Sequence, residues 1–508
     1  MDFLPYFSIE TWALLIISIG LLVLYGIWPY GVFKKLGIPG PTPYPFLGTT
    51  RAYRTGIFEF DKACFKEYGK IWGFYDGRVA LLAVTDPDII KAVLVKECFS
   101  AFTNRRNFAP TGKMEKGVFF AKGEQWKRIR TVLTPAFTSG KLKEMLPIIQ
   151  HYAKNLTKFL LEKAEKGEPV EIKEVIGPYS LDVATSSSFG VTTDSMNNPQ
   201  DPFVREAKKL VAINFNSPLL ITITIFPCLT PVLNKLNFSM FDTGAVEYLS
   251  KAILKMKAKR EQGHEKGRVD FLGVMMETQK PEAKTKSKDG DHTNKALTDE
   301  EILAQAIAFI FGGYESISNM LCFLLYELAT HPDVQQKLQD EIDAVLPNKA
   351  PLAYDALMQI EYLDMAVSEI LRMYPIGGRI ERLCTKDIEI NGIHIPKGVS
   401  VMIPPHVLHF DPEVWDNPEE FRPERFSKEN KESINPYTYL PFGAGPRNCI
   451  GMRFALLILK AGIASLLQNF TFRPCKETQI PMEMALTGLM SPKKPIILKV
   501  IPRASSAE

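Results

Sequence analysis

Paired cysteines are missing from this chain. Its seven cysteines (Cys64, Cys98, Cys228, Cys322, Cys384, Cys449 and Cys475) are odd in number, scattered, and never spaced Cys-x-x-Cys. That excludes a disulfide framework and fits a reducing compartment. Net charge is nearly absent: +4 on 508 residues, with no basic and aromatic repeat, offers a nucleic acid no footprint. Histidine is scarce, and His406 and His409, three apart, have no companions that would complete a ligand set. They read as structural. A proline- and serine-rich linker is also lacking. Length alone would suggest about three domains, but without linkers the chain reads as one large catalytic domain. A hydrophobic share of 46% with 23% charge suits a globular protein with a sizeable core.

The most local absence is of charge between Glu10 and Lys34. Twenty-three residues, 11–33, rise about 1.5 Å each as a helix and span a hydrocarbon core of about 30 Å. Trp12, Trp28 and Tyr30 stand near the ends, where an interfacial aromatic belt lies. No small-residue cleavage site follows, and Asp2 and Glu10 precede the run, so it reads as a retained signal anchor. Lys34 and Lys35 put the C-terminal bulk in the cytosol by the positive-inside rule. The expected organisation is a lumenal terminus 1–10, a transmembrane helix 11–33, a basic and proline-rich hinge 34–45, the catalytic domain 46–502 and a tail 503–508. Residues 277–298, rich in lysine, aspartate and glycine, read as a surface loop. Asn155, Asn237 and Asn469 stand in glycosylation sequons that a cytosolic domain would leave unmodified.

Strand signals are few. Residues 71–84 alternate around an Asp76-Gly77 turn, and 387–403 carry turns at Asn391-Gly392 and 396–398. Elsewhere helical periodicity dominates, so the expected class is mainly α with a smaller β region.

Within 441–451, one cysteine sits in a loop of glycine and proline directly before an apolar segment, 450–470, that reads as a helix. Cys449 at a helix N-terminus has free N–H groups and the positive dipole end to favour a thiolate. Gly445 and Gly451 permit unusual φ or close approach, and Arg447 offers a fork of donors for a carboxylate. Five fixed positions (Phe442, Gly445, Arg447, Cys449 and Gly451) match by chance with odds of about 10⁻⁴. This spacing resembles the haem-binding signature of the cytochromes P-450, the haem-thiolate monooxygenases. The resemblance implies the cytochrome P-450 fold, haem b held by Cys449 as axial iron ligand, and Phe442 against the haem.

A second signal is a capping box, Thr298 to Glu301, opening an apolar run that ends at His331-Pro332. Gly312-Gly313 in its middle cost roughly 1 kcal/mol each against alanine, which a bend, a close approach to a flat ligand, or a helix-packing contact would explain. This stretch resembles the family's oxygen-activation segment, which makes Glu315 and Ser316 catalytic as the acid and the alcohol that deliver protons. Two departures stand out: Gly312 where the pattern has alanine, and Ser316 where it has threonine. Serine keeps the hydroxyl but loses the methyl that restricts χ1, so coupling of electrons to product is the less secure expectation.

Glu369 and Arg372 share one helix face, and Arg425 follows about fifty residues on. Together they resemble the family's Glu-x-x-Arg motif and its arginine partner, a triad that holds the cysteine loop. Trp126 and Arg130 resemble the family's contact to a haem propionate. The same alignment makes Arg105, Arg382 and Arg447 propionate candidates. Among family members the chain looks most like the vertebrate microsomal 3A subfamily, through residues 102–106, 137–144 and 446–454. That implies oxidation of large apolar molecules (steroids and xenobiotics) with O2, and with electrons from NADPH through a flavoprotein cytochrome P-450 reductase, cytochrome b5 being a further partner. It also implies an endoplasmic reticulum location with the catalytic domain in the cytosol. By alignment the substrate pocket comprises Phe108, Phe119, Phe120, Phe215, Phe311, Gly312, Ile376, Gly377 and Leu489. Apolar walls with few polar anchors bind by area, which predicts breadth. Lys127, Arg128, Lys141 and Lys143 are candidates for a reductase contact, with solvated charge as the equal alternative. Two rivals stay open: a haem-thiolate isomerase of the thromboxane-synthase kind, and a non-catalytic membrane haem carrier or sensor.

Overall fold

The computed structural model describes residues 8–106, 109–212, 217–236, 238–263, 270–279, 296–486 and 489–504. Phe108, Phe215, Asn237, most of the 277–298 loop and the outermost residues of both termini lie outside these.

The chain is organised around helix Asp299–Thr330. Its start is the capping box: the Thr298 hydroxyl accepts from Glu301 N at 3.2 Å while the Glu301 carboxylate accepts from Thr298 N at 3.0 Å. From Ile317 to Ala329 every residue is buried, because helices Ile172–Phe189 and Met452–Asn469 pack around it. A helix this apolar on all sides belongs in a core. The Tyr179 hydroxyl ties two of the partners together, donating to the Ile458 carbonyl at 3.2 Å.

The β region is larger than expected. The predicted hairpin forms as Ile71–Asp76 and Val79–Val84, antiparallel from Ile71↔Val84 to Asp76↔Val79. It continues, parallel, into Ser400–Ile403, which pairs antiparallel with Ile380–Leu383. Strands Ile388–Ile390 and Ile393–Ile395 form the hairpin at Asn391-Gly392. A third sheet (Val170–Glu171, Ile497–Pro502 and Phe470–Pro474) lies outside the expected strands, its members too short to show a period. All seven cysteines are free thiols.

The N-terminal apolar run forms helix Ile9–Ile27, of 19 residues and about 28 Å long, nearly all of it exposed. It does not continue unbroken to residue 33. Pro29 interrupts it with a 3-10 turn, Trp28–Gly31, before a short helix, Val32–Lys35. The hinge behind it is seated rather than free. Gly73 N donates to the Pro39 carbonyl at 2.8 Å, and a Cβ on Gly40 would lie 1.8 Å from the Gly73 carbonyl oxygen. A second apolar element, absent from the sequence expectations, adjoins the anchor. Helices Pro218–Ile225 and Pro227–Lys235 meet at 110° and expose Ile221, Val232 and Leu236. The Tyr25 ring stacks on Phe226 at 5.6 Å, so the anchor's end and this bent pair adjoin.

Candidate active site

Two left-handed glycines shape the loop that ends at Cys449. Gly443 has φ +70° and Gly445 φ +72°, and a Cβ on Gly445 would stand 1.9 Å from the Leu94 carbonyl oxygen. No other residue type fits there. Gly451, expected to need such freedom, has an ordinary φ of −85° and serves as N-cap of helix Met452–Asn469. Cys449 therefore precedes the first helical turn instead of opening it. Its N–H donates to the Phe442 carbonyl at 2.9 Å, closing the loop.

Cys449 is exposed as a residue, unlike the buried Cys64, Cys98, Cys322 and Cys384. Burial raises the thiol pKa, and the Gly451 N–H, Arg130 and Arg105 oppose that without overcoming it. The Gly451 N–H at the helix terminus lowers the thiol pKa, and a metal cation on the sulfur would lower it further.

Four guanidinium groups gather around the loop. Arg130 donates to the Asn448 carbonyl at 2.9 Å and to its Oδ1 at 2.7 Å. Arg105 donates to the Phe119 carbonyl at 3.1 Å and the Arg447 carbonyl at 3.3 Å. Arg447 reaches the Thr103 carbonyl at 2.8 Å and the Ala121 carbonyl, and lies 4.6 Å over the Trp126 ring. Arg382 donates to the Glu381 carbonyl at 2.9 Å. Among the described residues no carboxylate offsets any of the four, and the Nε atoms of Arg382 and Arg447 have no partner there. Burial and mutual repulsion push Arg447 down to about 9; burial brings Arg382 to about 10. Clustered cations, two buried and two half-buried, without counter-charge call for a dianionic group. A thiol beside four such arginines fits haem b, with two propionates for the arginines and an iron for the sulfur. Trp126 enters as the surface under Arg447.

The triad meets as expected. Arg372 grips Glu369 in a fork at 2.7 and 2.8 Å, and Arg425 Nε adds a bond at 3.2 Å, all buried. The Arg422 N–H fills a further lone pair of Glu369 at 3.0 Å.

The glycine pair of the long helix divides its work. A Cβ on Gly312 would meet nothing within 4 Å, whereas one on Gly313 would lie 3.1 Å from Ala184 Cβ. The helix runs through both without a break. Gly312 thus opens space and Gly313 allows helix packing. The Ser316 hydroxyl donates to the Gly312 carbonyl one turn back. Glu315 is ion-paired with Lys173 on helix Ile172–Phe189. Acid and alcohol are adjacent in sequence yet hold different partners.

Phe119, Phe120 and Phe311 belong to one chain of edge-on aromatic contacts, joined by Phe241. Centroids lie 4.9 Å apart for Phe119–Phe120, 5.9 Å for Phe120–Phe241 and 5.5 Å for Phe241–Phe311. Sequence reasoning missed Phe241, since a lone phenylalanine far from every motif carries no signal. Ile376 and Leu489 come together through their neighbours: Met490 N donates to the Ile376 carbonyl at 3.4 Å. Gly377 has nothing within 4 Å of a Cβ, but Gly378 would press one to 2.8 Å from the Phe58 ring. The two glycines therefore predict different outcomes. Gly377→Leu is expected to lower turnover of bulky substrates about tenfold relative to small ones at unchanged haem content. Gly378→Met is expected to destabilise the fold by about 1–3 kcal/mol through Phe58, read as a lowered thermal midpoint with the product profile retained.

The four candidate docking cations are each paired within the chain: Lys127 with Glu124 at 2.6 Å, Arg128 with Glu301, Lys141 with Glu144 at 3.0 Å and Lys143 with Asp355 at 2.7 Å. The three lysine pairs are exposed and hold weakly, whereas Arg128 is tied to the buried Glu301 carboxylate.

A family model described as Cytochrome P450 matches residues 38–500. Cytochrome P450 3A9 of Rattus norvegicus is 57% identical over 503 residues, covering 99% of this chain and 99% of the relative. Cytochrome P450 3A29 of Sus scrofa is likewise 57% identical over 503 residues, at 99% and 99%. A lithocholate 6-beta-hydroxylase of Mesocricetus auratus is 56% identical over 503 residues, again 99% of each.

Proposed function

We propose, for a chain that belongs to the cytochrome P450 family and is a haem-dependent monooxygenase, that large apolar molecules, steroids and xenobiotics among them, are its substrates. The observation that carries this reading is the apolar enclosure, Phe119–Phe120–Phe241–Phe311 with Gly312 and Gly377 open, set beside a thiol and four unneutralised arginines. One relative's name, lithocholate 6-beta-hydroxylase, is that of a steroid-hydroxylating enzyme. It favours the monooxygenase reading over isomerase or haem carrier.

In the net reaction one atom of O2 enters a C–H bond, the other leaves as water, and NADPH supplies two electrons through a redox partner. When bound, the haem supplies the redox chemistry that activates dioxygen. The rest falls to this chain's residues. Cys449 would hold the iron, and Arg105, Arg130, Arg382 and Arg447 would offset the charge of the propionates. The aromatic chain and Ile376 exclude water and bind substrate by area. Ser316, its Oγ–H donating to the Gly312 carbonyl, is assigned to pass a proton at that oxygen, and Glu315, held by Lys173, is assigned as the acid of the relay. Ser316→Ala is expected to keep haem and the substrate-induced spectral shift, while product formed per NADPH consumed falls at least tenfold and hydrogen peroxide rises. Proton-transfer groups contribute about 10²–10⁴-fold, blunted where water substitutes. The assay uses a steroid panel with reductase and NADPH; an unchanged product-to-NADPH ratio ends the relay assignment. No steroid oxidised at all ends the substrate reading.

The protein is membrane-anchored and draws on a redox partner. We assign the partner as the NADPH-dependent flavoprotein reductase, with cytochrome b5 as a second donor. The assigned location is the endoplasmic reticulum, with the domain beyond Lys35 in the cytosol. The exposed apolar helix Ile9–Ile27, the lysines after it and the adjoining apolar bent pair support that orientation. Protease added to intact microsomes should digest the catalytic domain; glycan on Asn155 or Asn469 would reverse the assignment.

A further inference from the structure

His409 lies outside the machinery described so far, yet it joins the triad to the cysteine loop. It is fully buried. Its Nδ1 stands 2.9 Å from the Arg372 carbonyl oxygen, and its Nε2 2.8 Å from the Leu440 amide nitrogen. A carbonyl can only accept and an amide N–H can only donate. Both bonds together therefore require a neutral ring protonated at Nδ1. The His409 carbonyl in turn accepts from Arg372 Nη1 at 2.7 Å. Leu440 opens the cysteine loop: its carbonyl accepts from Gly443 N at 3.1 Å, and the Phe442 carbonyl from Cys449 N. A continuous line of bonds thus runs from Glu369 through Arg372 and His409 to the loop that carries the sulfur.

We propose that His409 is a positioning residue for Cys449: neutral, it latches the cysteine loop onto the Glu369–Arg372 core, and protonated, it releases the loop. This rests on the assignment of Cys449 as the iron ligand. An imidazolium would turn a second N–H toward the Leu440 N–H, so the bond becomes a clash of donors. It would also add a charge beside Arg372, whose own carboxylate partner, Glu369, is already shared with Arg425. The other titratable neighbours are Tyr439, its ring 5.4 Å away and its hydroxyl bonded to the Ser368 carbonyl, and His406 one turn earlier. No carboxylate acts directly on the ring; burial and then Arg372 bring its pKa down to about 3 despite the bond to the Arg372 carbonyl. The folded value lies below the unfolded value of about 6.5. The latch is therefore at full strength above that pH and weakens as pH falls toward 3, by up to tenfold per unit in the latched-to-released ratio. His406 is shifted in the same direction but stacks on Phe410 at 4.5 Å and on Phe58, which makes it the control.

The test is an acid titration of the full-length, reduced, carbon-monoxide-bound holoprotein. It follows the red-shifted Soret band of thiolate ligation together with hydrogen exchange of the peptide spanning Leu440, corrected for intrinsic rate. In the wild type the band should fade below about pH 6.5 as Leu440 exchange rises. His409→Gln keeps an acceptor for the Leu440 N–H without a titrating group, so its band should persist at least about one pH unit lower. His409→Phe should lose the band at neutral pH, and His406→Phe should follow the wild type. A His409→Gln midpoint equal to the wild type overturns the latch, as does band loss with Leu440 still protected. If His409→Phe does not fold, His409→Gln decides. A wild type with no thiolate band at any pH would instead condemn the ligand assignment, while Leu440 exchange would still report on the latch.

Discussion

Cys449→Ala is expected to abolish the red-shifted Soret band of the reduced, carbon-monoxide-bound protein and to bring product formation to background. Cys449 is the one thiol that lies in the glycine-shaped loop, beside Arg130 and Arg105, and it is exposed as a residue. Cys98 is the nearest competitor, since it lies near both Arg382 and Arg447. But Cys98 is fully buried, and a thiol enclosed in that way has no face for a metal. Cys98→Ala should therefore leave the band in place. An unchanged band in Cys449→Ala, or loss of it in Cys98→Ala alone, would move the ligand elsewhere.

Glu369→Ala is expected to be the most damaging change away from the haem. The carboxylate accepts two bonds from Arg372, one from Arg425 and one from the Arg422 N–H, and none of its surface is exposed. Removing one member of a buried pair leaves an uncompensated charge and costs about 3–5 kcal/mol. Here two arginines are left at once. Against a total stability of about 5–15 kcal/mol, the variant should show little haem incorporation and a much lower thermal midpoint. Glu369→Gln keeps an acceptor and should suffer less. Full haem content and an unchanged midpoint in Glu369→Ala would show that the triad does not hold the loop. The His409 latch depends on the same core, so Glu369→Ala should also loosen Leu440.

Legibility in the sequence followed the range of the interactions. The anchor, the capping box at Thr298, both hairpins and the cysteine loop were readable because each is made by residues close together in the chain. A capping box needs four consecutive positions, and a turn such as Asn391-Gly392 needs two. Family resemblance added Glu369, Arg372 and Arg425, which fixed motifs carry, and the structure brings them into one buried cluster.

Other features depended on atoms brought together from distant segments. Gly445 is required because the Leu94 carbonyl, some 350 residues earlier, passes where a Cβ would sit, while Gly451, equally prominent in the motif, is conformationally ordinary. Gly377 and Gly378 are adjacent and alike in sequence, and Phe58 separates an open position from a packed one. Phe241 and His409 gave no local sign of their roles: one bridges two aromatic rings, the other two backbone groups, and each partner arrives from another part of the chain. Sequence by itself made the cysteine loop, the adjacent acid and alcohol, and the anchor legible, because each is a local pattern of residue type. Tertiary structure decided the surroundings of Cys449, the partners of Ser316 and Glu315, and the open positions at Gly312 and Gly377. Burial, desolvation and steric contact depend on what the rest of the chain packs against each group.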